Sequence, residues 1–433
     1  MRRRSKRGIS LGTIVMLTAT CLVLAGFFLL IPRLAGQTDL RFHAGDVFVV
    51  LDRTLGEITG SSTTEPPAET STPPVMAAFT PMATPSPTPV PEYRFSFCAS
   101  GEISFTSAVQ NSVTYDDGYH FEQILAPIRE ELAADLTLVT LNNSTVSTAK
   151  LTDYNMPVQM LQGLKQNNID AVNLGHYNAL NGGLGALSTT RTELVSAGMM
   201  PYGAYSLPAE RNTPRIYNAG GVSVALISFV GDLSNTSKKQ TTAEERAFAV
   251  PALNLADIET DIAKARSMGA QVIVVTVSWG KSGDTKPSAE QLGLAQSMAD
   301  LGADIIIGVH PEAVETVQIL TANRGDGKYH PVLCAYSLGN LFSADREKRV
   351  NLSGMLLHAE VEYDPVNQTV AFDNLRYTPT YCWRGKQDGA YRYKVFASNL
   401  DAYPDYVDKD QRSVMSRCLK VITDAMEGSI FDQ

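Results

Sequence analysis

The sequence predicts an α/β fold, a multilayer sandwich of strands and helices, for the chain beyond Tyr93. Two observations carry this. Short runs rich in Val, Ile and Leu recur between Gly, Asn and Pro punctuation, and stretches of helical periodicity separate them. Such alternation implies a largely parallel sheet with both faces covered, because parallel neighbours need a crossover between them.

The strand candidates, in order, are Arg94–Cys98, Leu136–Leu141, Ala171–Leu174, Val222–Phe229, Val272–Val277, Ile305–Ile307, Val332–Tyr336, Met355–Tyr363 and Val370–Tyr377. The last two read as an antiparallel pair. Helices are expected over Ala256–Met268 and Ala289–Leu301, closed by Gly269 and Gly302, which suit a left-handed cap. Val414, Cys418, Val421, Ile422 and Ala425 fall at helical spacing, so a C-terminal helix should dock on the domain.

The chain before Tyr93 reads differently. Arg2, Arg3, Arg4, Lys6 and Arg7 form a basic tail over 1–8, and Ile9–Ile31 follows without a charge. At 1.5 Å per residue a helix needs roughly 20 apolar residues to cross the hydrocarbon. Basic residues stay cytoplasmic, so the rest faces outward from a single-pass membrane anchor. A cleaved signal peptide would have a shorter apolar run and a small-residue cleavage site close behind it. Residues 32–58 form a juxtamembrane segment, and 59–92 a Thr/Ser/Pro-rich linker too poor in apolar side chains to order itself. The globular domain is expected over 93–393, with a C-terminal extension over 394–433.

Composition bounds the partners. The formal net charge of −9 and the absence of a basic stripe exclude nucleic acid. An anionic polymer would need a local basic pocket. The five cysteines are scattered. Cys21 lies in the anchor, and Cys382 and Cys418 are either bridged or, like Cys98 and Cys334, buried thiols. There is no phosphate-binding Gly-rich loop, serine-nucleophile elbow or paired zinc cysteine motif.

In open α/β sheets, sites lie beyond the carboxyl ends of strands. Those ends carry Gly101-Glu102, Asn142-Asn143, Gly175-His176-Tyr177-Asn178, Ser278-Trp279-Gly280, Gly308-Val309-His310-Pro311-Glu312 and Tyr336-Ser337-Leu338-Gly339-Asn340. With Ala134-Asp135-Leu136 and Gly302-Ala303-Asp304, these blocks stand in the order and spacing of a known family. From about Phe95 to Tyr393 the chain resembles CapA-like proteins of bacterial poly-γ-glutamate capsule synthesis, which are similar to calcineurin-type metallophosphoesterases. The resemblance implies a metallophosphoesterase-like sandwich, a role in making or exporting an envelope polymer, and metal ligands at the strand ends.

The departures fall on those ligands. The family's Gly-Asp is Gly101-Glu102 here, its Asn-Asn-His-x-x-Asp is His176-Tyr177-Asn178-Ala179-Leu180-Asn181, its His-Trp-Gly is Ser278-Trp279-Gly280, and its His-Pro-His is His310-Pro311-Glu312. The family's Asn-x-Glu is Thr140-Leu141-Asn142. Only His310 is unchanged. A divalent pair needs several anionic or imidazole donors, and Asn and Ser supply no charge. Glu in place of Asp moves the carboxylate by about 1.3 Å, large against the ±0.2 Å tolerance of metal distances. The expectation is therefore no metal, or one divalent ion such as Mn or Zn on Glu102, His310 and Glu312. His310 and His176 are the catalytic candidates, and Asn142, His176, Asn178, Ser278, Trp279 and Asn340 should line a binding cleft.

Plainer readings stand beside these. His310 before proline suits a loop histidine, His176 a hydrogen-bonded loop residue, Trp279 core packing, and Gly339-Asn340 a turn. Three function classes follow: an anchored CapA-like protein that binds envelope polymer beside a membrane synthase, a hydrolase or transferase with a rearranged metal site, and a stalked surface interaction module.

Overall fold

The computed structural model describes residues 93–146, 155–400 and 402–431. The chain divides into Met1–Pro87 and Thr88–Gln433, and the fold below belongs to the second unit. The anchor, juxtamembrane segment and linker expected over 1–92 lie outside the described residues. Among those described, no helix is long and apolar enough to cross a membrane.

The single sheet expected from the strand–helix alternation is two. The larger runs in the order Ala390–Ala397, Thr369–Gln387, Ser353–Asp364, Arg94–Ser104, Leu136–Leu141, Ala171–Asn173 and Met200–Tyr202, with Asn340–Ser343 joining Arg94–Ser104 from the side. The smaller runs Val317–Ala322, His330–Ala335, Ile305–Val309, Val272–Ser278, Val222–Val230 and Arg215–Ala219. The smaller has a parallel centre and antiparallel flanks, whereas the larger is antiparallel from Ala390–Ala397 to Arg94–Ser104 and parallel from there to its other edge, Met200–Tyr202.

The reason is visible in the strands. Val272–Ser278 and Leu136–Leu141 are buried along their whole length, so both faces must be covered. One face of each sheet meets the other sheet in a core holding Phe97, Leu138, Val224, Val274, Ile307 and Leu357. Outside the smaller sheet, Ile258, Ile262, Met298 and Ala299 of helices Leu255–Ser267 and Ala289–Asp300 pack on Ile273, Val275 and Ile306. Outside the larger sheet lie helices Gln159–Lys165 and Gly183–Ser196. The layers are helix, sheet, sheet, helix.

Most expected strands occur with ends within a few residues. Val370–Tyr377 is the start of a much longer strand, Thr369–Gln387. The C-terminal helix spans Lys409–Ala425 and buries Met415, Cys418, Ile422 and Ala425. Cys98, Cys334, Cys382 and Cys418 are all buried free thiols, so no Cys382–Cys418 bridge forms.

Two family-like blocks are structural. Asp135 accepts from Ser96 N and Ser96 Oγ, both at 2.8 Å, tying two strand starts together. Asp304, 1% exposed, accepts from Ile273 N at 2.8 Å, Arg266 Nη2 at 2.6 Å and Arg324 Nη2 at 3.0 Å.

Glycine sets how closely neighbouring strand ends of the smaller sheet approach one another beside the site. A Cβ on Gly308 would stand 1.8 Å from Tyr336 O and 2.4 Å from Trp279 Nε1. It would break the 2.9 Å hydrogen bond by which Trp279 Nε1 donates to Tyr336 O. Gly308→Ala should therefore lower stability by about 3 kcal/mol, the upper part of the overpacking range, because the obstruction is backbone. Chemical denaturation of the purified protein reads this directly. A loss below about 1 kcal/mol would mean that these strand ends can part.

Candidate functional site at the strand ends

The site forms where the carboxyl ends of both sheets meet. Strand Arg94–Ser104 pairs with Ser353–Asp364 as far as Ser100, then takes Asn340–Ser343 as its neighbour, with register shifts around Glu102. Such irregularities re-aim a side chain. Gly101 makes the switch possible, since a Cβ there would fall 1.9 Å from Gly339 O. Glu102 N donates to that same carbonyl at 3.0 Å.

The Glu102 side chain is buried and both its oxygens are engaged. Oε1 accepts from His310 N at 2.5 Å, and Oε2 from Asn142 Nδ2 at 3.3 Å. A chain of amides continues: Asn178 Nδ2 donates to Asn142 Oδ1 at 3.1 Å, and Asn181 Nδ2 to Asn178 Oδ1 at 3.1 Å. Asn181 Oδ1 in turn accepts from Ser234 Oγ at 2.5 Å and Ser237 Oγ at 2.8 Å. These bonds join Glu102, Asn142 and Asn178 to the His310 backbone, whereas Ser278 and the His310 ring face the adjoining cleft. Of the residues expected to line that cleft, Asn142, His176, Asn178 and Asn340 do not.

The cleft itself, about 360 Å³, opens beside this network and is lined by Ser278, Trp279, His310, Tyr177, Asp232 and Gln291. The His310 ring lies 4.9 Å from that of Tyr177, tilted by 33°. His310 and Glu312 both have left-handed backbone, φ 90° and 58°, costly for residues with a Cβ and typical of held functional loops. Trp279 is buried, stacked on Tyr336 at 6.0 Å, so it shapes the wall by core packing. Gly339 has φ 67° and makes the turn before Asn340, whose Nδ2 donates to Asn351 O at 3.2 Å and Glu312 O at 3.4 Å.

Burial sets the charge state. It pushes Glu102 up to about 7, helped by the Glu312 carboxylate and opposed by the His310 N–H. Glu312 is raised by burial and Asp345, against Lys348. His176 is pushed down to about 3 by burial and the neighbouring His310. His310 is lowered by burial, with Asp232 opposing. At neutral pH the imidazoles of His176 and His310 are uncharged and Glu102 is near its midpoint. Asp232, held below the usual range by the Lys238 hydrogen bond, stands as a carboxylate in the cleft wall.

The fit to a metal can be judged from the donors. His176 Nδ1 accepts from Asn178 N at 3.0 Å, so that nitrogen has no lone pair to offer a metal. Glu102 reaches His310 through the backbone N–H, not the ring. Among the described residues, no three His, Cys, Asp or Glu side chains group to hold a metal ion. The ligand set expected on Glu102, His310 and Glu312 is not assembled, because the Glu102 carboxylate is turned into the amide chain.

Several site residues escaped the sequence reading. Tyr177 and Asp232 line the cleft, and Gln291 Nε2 donates at 2.7 Å to Glu315, which is wholly buried. Asp232 follows the end of Val222–Val230, so the strand-end rule would have found it. Glu315 gave no signal.

Comparison with known proteins agrees with this placement of blocks. Residues 96–345 match the family described as bacterial capsule synthesis protein PGA_cap. The PGA biosynthesis protein CapA of Bacillus subtilis is 29% identical over 180 residues, 41% of this chain and 43% of that protein. The capsule biosynthesis protein CapA of Bacillus anthracis is 39% identical over 71 residues, 16% of this chain and 15% of that one. The matched stretches span less than half the length of either relative. Among solved structures, a calcineurin-like phosphoesterase from Bacillus subtilis aligns with 77% of this chain and all of its own, at 13% identity and a TM-score of 0.39. A phosphatase from Mycoplasma pneumoniae aligns with 75% of this chain and 99% of its own, at 12% identity and a TM-score of 0.39. With its strand-end blocks in register and more than half its length matched, the chain belongs to the bacterial capsule synthesis protein family, PGA_cap.

Proposed function

We propose that this protein acts in capsule or poly-γ-glutamate synthesis at the cell envelope by binding the polymer rather than by cleaving or joining it. One observation carries the choice: Glu102, Asn142, Asn178 and Asn181 are tied in a hydrogen-bonded chain, ended by His310 N on one side and Ser234 and Ser237 on the other, where a metal-dependent enzyme would turn its ligands toward the metal. Without a metal, no water is activated near pH 7, and the site supplies only hydrogen bonds.

What remains suits a carboxylate- and amide-bearing chain. His310, Ser278 and Tyr177 line the cleft, which shares Gly231 and Asp232 with a neighbouring groove of about 460 Å³. Arg211, Lys238 and Arg246 line that groove against Asp232 and Asp257. Lys238 is paired with Asp232 at 2.6 Å and Arg211 with Asp261 at 2.8 Å. Arg246, which donates to the Lys238 carbonyl, is therefore the cation of this groove offered to a polymer carboxylate. The uncharged run Ile9–Ile31 anchors the chain, and the linker lifts the domain outside the cytoplasm beside a membrane synthase.

The test uses full-length protein from membranes. With added Mn²⁺ or Zn²⁺, phosphoester and γ-glutamyl substrates should show no turnover above background, while γ-glutamyl oligomers should bind saturably and release with salt. Turnover that disappears in His310→Ala would sink the binding reading and favour a rearranged hydrolase. Protease added to intact cells should remove the domain. Protection there would reverse the topology.

A further inference from the structure

A second cavity, apart from the strand-end cleft, lies at the other end of the strands. Asp170 precedes Ala171–Asn173 and Met200 begins Met200–Tyr202, so this cavity of about 630 Å³ sits at the amino ends of those strands. Met200–Tyr202 is the last strand of the larger sheet and Arg215–Ala219 the last of the smaller, so the cavity fills the gap where both sheets stop. Helix Gly183–Ser196 closes it from outside.

Its polar side is a guanidinium pair. Arg191, with only 5% of its side chain exposed, and Arg215 both reach Glu210 Oε1, at 3.1 and 3.7 Å. Glu210 Oε2 is taken by Ser206 N, Ser206 Oγ and Leu207 N. One carboxylate therefore faces two guanidiniums. Asp170, the other acid of the cavity, is neutralised by Lys165 at 3.0 Å. Arg191 Nη1 donates to the Ala204 carbonyl. The Nε of Arg191 and the Nε of Arg215 are both buried with no acceptor. A buried donor is normally paired, and two orphans from two cations in one cavity mark a missing acceptor.

The opposite side is apolar. Met199, Pro201 and the Tyr217 ring line it, and Val195 stands 63% exposed at its rim. A cavity of this size with an apolar wall and a few converging polar groups has the character of a small-molecule site.

We infer that the gap between the sheet edges, at Arg191 and Arg215, binds a small organic monoanion: one carboxylate on an aromatic or short alkyl body. A single negative charge balances the cluster, and its oxygens meet the guanidinium of Arg215, whose side chain is 28% exposed, beside that of Arg191. The body lies on Met199, Pro201 and Tyr217. This site is separate from the strand-end cleft and does not depend on the polymer-binding reading.

The probe is 3-phenylpropanoate, soluble and outside the range of membrane partition, titrated into the full chain by ligand-observed NMR. Saturable binding is expected, with 3-phenylpropanol binding at least about tenfold more weakly because it lacks the charge. Arg215→Gln, at a half-buried position, should weaken the acid by about tenfold and leave the alcohol unchanged. Val195→Asp, on the exposed rim, should weaken both without touching the fold, as a thermal melt will check. Ser278→Ala in the distant cleft should change neither. Equal binding of acid and alcohol, acid binding that Arg215→Gln leaves intact, or no binding of either compound would overturn the proposal; the last would leave the orphaned donors to ordered water.

Discussion

Asp304→Ala should cost the domain about 3–5 kcal/mol, the largest single effect expected in this protein. The carboxylate is buried and holds three partners at once: Ile273 N, Arg266 Nη2 and Arg324 Nη2. Those partners belong to the start of a central strand, the last turn of helix Leu255–Ser267 and the turn after Val317–Ala322. Truncation leaves two guanidiniums without their counter-charge and a buried N–H without an acceptor. Arg266 has 33% and Arg324 15% side-chain exposure, so water recovers part of the loss and the lower end of the range is expected. Denaturant unfolding of the purified protein measures it. A loss under about 1 kcal/mol would show that the clamp is dispensable. Asp304→Asn should fall between, since it keeps one acceptor but not the charge.

Glu315→Gln should stabilise the protein at alkaline pH and not at acid pH. Burial pushes Glu315 up to about 7 from 4.5, with Asp284 adding to the rise and the Gln291 hydrogen bond opposing it. Below pH 4.5 both folded and unfolded chains hold the proton, so Glu and Gln behave alike. Between about 4.5 and 7 the unfolded chain releases its proton while the folded one keeps it, and stability falls as pH rises. Above 7 the cost is complete, at most roughly 3 kcal/mol. Glutamine removes it and can still accept from Gln291. The difference between variant and parent is the quantity to follow, because other groups slope the opposite way. His176 and His358 are pushed down to about 3 and about 4, so they remove stability as pH falls below 6.5. Stability curves at several pH values should show the Glu315→Gln gain growing from pH 5 to pH 8. A constant offset would mean that Glu315 does not titrate in this window.

Some of this protein was readable in the chain alone. Residues that meet through backbone geometry announce themselves by local pattern. The run Val272–Ser278 is a strand because seven consecutive small or β-branched side chains suit a surface buried on both sides. Helix Ala289–Asp300 begins where Ser288 caps the N–H of Gln291, and ends before Gly302 at φ 114°. Of the residues that the strand-end blocks offered for a cleft, Ser278, Trp279 and His310 line it, while Asn142, His176, Asn178 and Asn340 lie outside its lining. The capsule-synthesis family followed from the order of those blocks, and the match over residues 96–345 agrees.

The tertiary structure decided what pattern cannot carry. A strand buried on both faces reads the same whether a helix or a second sheet covers it, so the split into two sheets was invisible in Leu136–Leu141 and Val272–Ser278. Glu102 kept a carboxylate at a ligand position, yet its direction depends on a register shift and on the closeness of Gly101 to Gly339. That direction makes it the end of an amide chain with Asn142 and Asn178. Asp304 and His310 sit six residues apart in similarly family-like blocks, one clamped by two arginines and one facing the cleft. The chemistry of a charged or imidazole side chain is written in the sequence. Which partners desolvate it is a long-range property of the packing, and that determines whether it holds the fold together or meets a ligand.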